Sequence, residues 1–209
     1  MIIALDRQHS GKFSRLRDMG AGGDFNDDGR SDIEEMESIW VGIYLLAAEI
    51  TLRELGHVVF PISHGSYKDR NKAANAVVAD VYVAGHLNAH TGGRRPASNG
   101  ANYGAVFYDH RSSPANGRAL ADAVAAELTL LPALGSNVRV WAARPDDWTK
   151  NAYYTIKHVQ RPISLCYEPA FIDYGPHVDA FFSSPDAAAV LGAALAKGIH
   201  AWSQAREVV

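Results

Sequence analysis

Apolar residues recur along this chain in two rhythms, and the rhythms take turns. Residues 2 to 6, IIALD, are apolar on both faces of an extended chain, which predicts a strand covered above and below. From 33 to 55 the apolar positions follow a helical period and stop at Gly56, a residue suited to closing a helix. HVVFPIS (57–63) then reads as a second strand and 68–78 as a second helix. DVYVAGH (80–86), YGAVFYD (103–109), NVRVWA (137–142) and ISLCYE (163–168) supply four more strands, with helical segments over 114–130, 149–158 and 185–204.

Strands alternating with helices predict an α/β fold. The expected architecture is a three-layer sandwich, a mostly parallel sheet of about six strands with right-handed crossovers and helices on both faces. In such a sheet the substrate site lies at the carboxyl ends of the strands. No internal repeat, linker or low-complexity tract interrupts the pattern, so residues 1–209 read as a single domain. The most loop-like stretches are the acidic segment 14–35 and HTGGRRPASNGAN (90–102), and loops that long often carry function.

Composition narrows the picture. The chain has 209 residues, 47% hydrophobic and 21% charged, enough for one sizeable core. A net charge of −3 with scattered Lys and Arg gives no face for nucleic acid and no patch for a membrane surface. The longest apolar run, near 39–48, is too short to span a bilayer, so no membrane insertion is expected. The N-terminus enters a strand at once, without the basic and apolar regions of a secretory signal. The single cysteine, Cys166, sits in an apolar run and reads as a small buried hydrophobe.

Candidate chemistry follows from the strand exits. The first strand delivers His9, the third His86 and the sixth Glu168, all onto one edge of the expected sheet. Neutral imidazole and carboxylate oxygen suit zinc, and a catalytic zinc site uses three protein ligands and a water. The cluster Glu34, Glu35 and Glu37 offers a further ligand. On the predicted helix Glu37 shares a stripe with Trp40, Tyr44, Ala48 and Leu55, facing the core, whereas Glu35 aligns with Gly42, Glu49 and Arg53 towards the outside. The histidines at 57, 64, 90, 110, 158, 177 and 200 read as solvated or packing residues, His90 being nearest to His86 in sequence. Asn88 falls on the same side of an extended chain as His86 and is a candidate substrate contact, and Arg70 and Asn75 in RNKAAN read as structural groups.

These segments together resemble the zinc-dependent N-acetylmuramoyl-L-alanine amidases of the Amidase_3 type. The matching stretches are IALDRQHSG around His9, Glu37 with its helix ending LRELGHVV, RNKAAN, ADVYVAGHLNA around His86, and RPISLCYEPAFIDY around Glu168. The resemblance implies that His9, Glu37 and His86 hold Zn2+ and that Glu168 is the catalytic acid-base residue. It implies peptidoglycan as the partner, cut between N-acetylmuramic acid and the first alanine of the stem peptide. Arg7 and Gln8 stand where the family usually has Pro-Gly, and Tyr167-Glu168-Pro169 departs from its usual last motif.

A second metal pattern lies in DFNDDGRSDIEE, where Asp24, Asn26, Asp28, the carbonyl of Arg30, Asp32 and Glu35 take the ligand positions of a calcium loop and Gly29 its turn. Structural Ca2+ is therefore a second expected cofactor, set against a plain solvated acidic loop. Two other functions stay open at this stage: a zinc amidohydrolase of a small soluble amide, similar to N-formylglutamate deformylases, and a non-catalytic wall-binding module. The expected setting is that of a phage endolysin, a monomer made in the cytoplasm and acting at the bacterial cell wall.

Overall fold

The structure, a computed structural model, describes residues 1–9, 20–23, 35–90, 102–111, 113–160 and 162–207. Six strands form one sheet: β1 (Ile2–Arg7), β2 (Val58–Ile62), β3 (Val81–Gly85), β4 (Gly104–Asp109), β5 (Val138–Ala143) and β6 (Ile163–Glu168), in the order β2-β1-β3-β6-β4-β5. The helices are α1 (Glu37–Glu54), α2 (Tyr67–Ala76), α3 (Pro114–Thr129), α4 (Lys150–Ile156), α5 (Gly175–Phe181) and α6 (Pro185–Glu207). The expected three-layer α/β architecture is present.

The pleat explains the layers, because successive side chains leave a strand on opposite faces. Ile3, Leu5, Val81, Val83, Leu165 and Tyr167 point into the core shared with α1, α3 and α6. Ala4, Tyr82, Ala84, Phe107 and Cys166 point into a second core beneath α2 and α4. Alpha carbons of α1 and α6 come close at Gly192, where a Cβ would run into the backbone of Tyr44 and Ala48. Helix α2 starts on a reciprocal cap, the Ser66 hydroxyl accepting from Asp69 N and the Asp69 carboxylate from Ser66 N.

Three features differ from the sequence expectations. Strands β1, β2, β3 and β6 are parallel, but β4 runs antiparallel to β6 and carries β5 with it. No helix was expected between β3 and β4, and β4 enters the sheet at the edge where β3 leaves it, as an antiparallel partner of β6 must. Helix α1 begins at Glu37 rather than 33, so Glu35 precedes it and is buried instead of facing outward. Helix α5 was not anticipated; its seven residues are too few to show a period. No single helix among the described residues is long and apolar enough to cross a membrane.

Candidate metal centre and cleft

The edge formed by the carboxyl ends of β1, β3 and β6 also receives the amino end of β4, since Ala105 pairs with Glu168. His9 follows β1 in a left-handed conformation (φ 57°), uncommon for a residue with a side chain. The chain that leads into it is tied down by two side chains. Arg7 donates from Nε (3.0 Å) and Nη2 (2.7 Å) to the carbonyl of Ser38 in the first turn of α1. Gln8 Nε2 donates to Asp6, whose buried carboxylate is also paired with Arg70 Nη1 (2.5 Å) and accepts from Tyr82 OH (2.5 Å). Arg7 and Gln8 thus fix the approach to His9 through their side chains.

His86 leaves β3 with both ends of its peptide held: its N–H donates to Tyr167 O (2.9 Å) and its carbonyl accepts from Tyr44 OH (3.0 Å). Glu37, the first residue of α1, accepts from Ala21 N at Oε2 (2.9 Å) and from Leu87 N at Oε1 (2.9 Å). Gly20 must be a glycine for this to work, because its φ is 77° and a Cβ there would collide with the Glu37 carboxylate.

His9, Glu37 and His86 come together as a group whose donor atoms could hold one metal ion. His9 Nε2 lies 3.2 Å from His86 Nδ1, His86 Nδ1 lies 3.1 Å from Glu37 Oε1, and His9 Nε2 lies 3.7 Å from the same oxygen. Four ligands about 2.1 Å from zinc at tetrahedral corners are separated by about 3.4 Å. The triangle therefore has the edge lengths of one face of a zinc tetrahedron, and its donor set is the imidazole and carboxylate mixture that zinc accepts.

Glu168, at the end of β6, lines the same cleft. Its Oε1 accepts a weak bond from Cys166 Sγ (3.6 Å), two residues back on the same side of the strand. The two carboxylates are driven apart electrostatically. Burial would raise both, but for Glu37 the hydrogen bond from His86, the nearby imidazoles and the Leu87 N–H prevail and hold it below the usual carboxylate range. For Glu168 burial wins, assisted by the charge of Glu37, and its carboxyl is pushed up. His86 is raised despite its burial, by its hydrogen bond to Glu37 and the charges of Glu37, Glu168 and Asp6. A pair of carboxyl groups pushed in opposite directions is the usual preparation for one to act as anchor and the other as proton carrier.

The remaining candidates separate cleanly. Asn88 lines the cleft, with its Oδ1 accepting from Ala89 N (2.9 Å) and its backbone bridged to Phe171. Arg70 and Asn75 are structural, Arg70 in the Asp6 pair and Asn75 holding His158 O (3.0 Å) and Gln160 N (2.9 Å). His90 is exposed, its N–H donating to Asp173 Oδ1 (3.1 Å), and it takes no part in the trio. Of the calcium pattern, Asp24, Asn26, Asp28, Arg30 and Asp32 lie outside the described residues, and Glu35 is buried with its carbonyl accepting from Gly23 N (2.9 Å). Sequence reasoning missed the aromatic lining of the cleft, a space of about 610 Å³ reached by Tyr67, Tyr103, Phe107, Trp148 and Tyr154. The stretch DDWTKNAYYT held a visible signal, but nothing in it showed which ring faces inward.

No protein-family model and no curated protein matches the chain. Solved structures do. The chain is similar to the catalytic domain of CwlV, an N-acetylmuramoyl-L-alanine amidase from Bacillus (Paenibacillus) polymyxa var. colistinus, with TM-score 0.71, 16% identity, 97% of this chain and 98% of that one. The amidase AmiC2 of Nostoc punctiforme gives TM-score 0.71 and 19% identity over 98% and 97% of the two chains. Cwp6 from Clostridium difficile gives TM-score 0.74 and 17% identity, and this chain spans 28% of it. The likeness is one of fold. It extends over 97% of this chain for CwlV and 98% for AmiC2.

Proposed function

We propose that the protein is a zinc-dependent N-acetylmuramoyl-L-alanine amidase acting on peptidoglycan, with His9, Glu37 and His86 as zinc ligands and Glu168 as the proton carrier. The observation that carries this reading is the triangle of donor atoms 3.1 to 3.7 Å apart with a second, half-buried carboxylate, that of Glu168, in the same cleft. Zinc bound there would polarise the amide carbonyl and lower the pKa of a bound water towards neutrality. Two backbone N–H groups fix the direction of the Glu37 carboxylate, and the His86 hydrogen bond, the neighbouring imidazoles and the Leu87 N–H outweigh its burial to favour the ionised form. Glu168 takes the water proton and returns it to the departing alanine nitrogen, so one carboxyl group serves as base and then as acid.

A phage lysis setting belongs to the same proposal. The test is mass spectrometry of soluble products after zinc-loaded protein is incubated with purified peptidoglycan. The expected products are stem peptides with a free alanine amino terminus. Glu168→Ala should keep the metal and lose about 100-fold or more in turnover, whereas His86→Ala should lose the metal itself. No released peptide from the unmodified protein would overturn the activity, and an active Glu168→Ala would overturn the role of that residue.

A further inference from the structure

The cleft has two chemically different arms, and a muramoyl peptide has two chemically different parts. Leading away from Glu168 on the side of β4 and β5 the lining is aromatic. Phe107 is buried beneath Trp148 with ring centroids 6.0 Å apart, Trp148 stands at right angles to Trp141 (4.7 Å, 88°), and Trp148 is 61% exposed. An exposed indole is usually on a loose segment, but this one is stapled. Thr149 accepts from Arg144 N (2.8 Å), its hydroxyl lies 2.5 Å from Asp147 Oδ1, and its own N–H donates to the same oxygen (2.7 Å). A rigid, solvent-facing aromatic plate above a buried one, with the amide of Asn151 on the same cleft, leaves apolar surface that water covers poorly.

The other arm is cationic. Lys157 lines the cleft with its ammonium over the Tyr154 ring (4.2 Å), and it also lines a neighbouring groove of about 830 Å³ that contains Lys68, Lys72, Arg111 and His158. Among the described residues no carboxylate lines that groove, and since Arg111 is paired with Asp109 (2.7 Å), the lysines set its charge. The field of these cations is felt locally: burial lowers His158 first, and the charges of Lys157, Lys68, Arg111 and Lys72 lower it further.

We propose that this partition sets the direction in which the substrate lies. The aromatic arm seats a pyranose ring of the glycan strand, its apolar C–H face on the Trp148 indole, and the carboxylate-bearing peptide runs past Lys157 towards Lys68 and Lys72. An uncharged sugar ring offers the flat C–H face that complements an aromatic π surface and has nothing for an ammonium to pair with. A peptide ends in a carboxylate, which gains from three lysines and gains nothing from an indole. The inference rests on the amidase reading for the identity of the substrate, but its test does not depend on turnover.

Calorimetry with zinc-loaded protein and two probes separates the arms. The first probe is a β-1,4-linked trimer of N-acetylglucosamine, which carries no peptide and is not cleaved; the second is a tripeptide beginning with alanine and bearing an acidic side chain. Trp148→Ala should weaken the trimer by about tenfold and leave the tripeptide unchanged. Lys68→Gln with Lys72→Gln should do the reverse. Trp148→Leu, which keeps apolar bulk over Phe107 but removes the indole face, repeats the first comparison if Trp148→Ala fails to fold. A trimer that binds equally to the unmodified protein and the Trp148 variant, a tripeptide that needs Trp148, or no trimer binding to the unmodified protein overturns the proposal. Trimer binding through Trp148 in a protein that releases no peptide from the wall would uphold the subsite while removing the amidase. Wall hydrolysis without trimer binding would remove the subsite alone.

Discussion

His177 should make this protein acid-sensitive, by an amount the structure sets. The residue sits on α5, fully buried, ringed by Phe171, Tyr174 and Phe181 at centroid distances of 6.3, 5.0 and 5.8 Å. Its Nδ1 accepts from Phe171 N (3.0 Å), so the folded state requires the neutral ring, and Nε2 has no partner among the described residues. Burial lowers its pKa from 6.5 to about 4. Between those two values the unfolded chain carries a proton that the folded one does not, so stability is complete above the unfolded pKa and falls as the pH drops towards the folded one. The slope is about 1.4 kcal/mol per pH unit, and the whole shift is worth about 3 kcal/mol. For a chain of this size that is a fall of about 6 to 12 °C in Tm.

The comparison to make is with His177→Asn, which keeps an acceptor near the Phe171 N–H but does not titrate. Differential scanning fluorimetry from pH 7.5 to 4 should give curves that converge above the unfolded pKa and separate steadily below it, the unmodified protein losing more. Groups common to both proteins cancel in the difference. A flat difference across that range would refute the reasoning, because it would mean that the ring is charged or solvated in the folded state. The consequence reaches the cleft, since Phe171 packs against Tyr103 (4.9 Å), which lines it.

Two further outcomes concern the frame. Arg70→Met should cost about 3 to 5 kcal/mol in urea unfolding, because it strands the buried Asp6 carboxylate between Tyr82 and Gln8; the double variant with Asp6→Asn should cost less than the sum of the two single changes. Gly192→Ala should cost about 1 to 3 kcal/mol by forcing α6 away from the Tyr44 and Ala48 backbone of α1, read as a lower Tm. A neutral result at either position would contradict the packing described.

The strands were legible because a sheet covered on both faces demands continuous apolar runs, and IIALD, VYVAG and ISLCYE are such runs. Their exits were legible for the same reason: the last apolar residue marks where His9, His86 and Glu168 emerge. Glu37 stands out from Glu35 because it falls on the stripe of Trp40 and Tyr44, whereas Glu35, expected on the outer face, is buried ahead of the helix. Phase means nothing for a residue that precedes its helix, and Glu35 is buried through the pairing of residues 20–23 with the start of α1.

Local pattern thus determined the elements, their order and the residue types delivered to one edge, since each depends only on neighbours a few positions apart. Three things were decided by tertiary structure alone. The reversal of β4 and β5 depends on which strand edge was left open beside β6. The distances within the His9, Glu37 and His86 triangle depend on Ala21, Leu87, Tyr44 and Tyr167, which hold its members from four separate parts of the chain. The aromatic and cationic arms are assembled from α2, the start of β4, residues 144–149 and α4, and no sequence period links positions that meet only when separate elements pack.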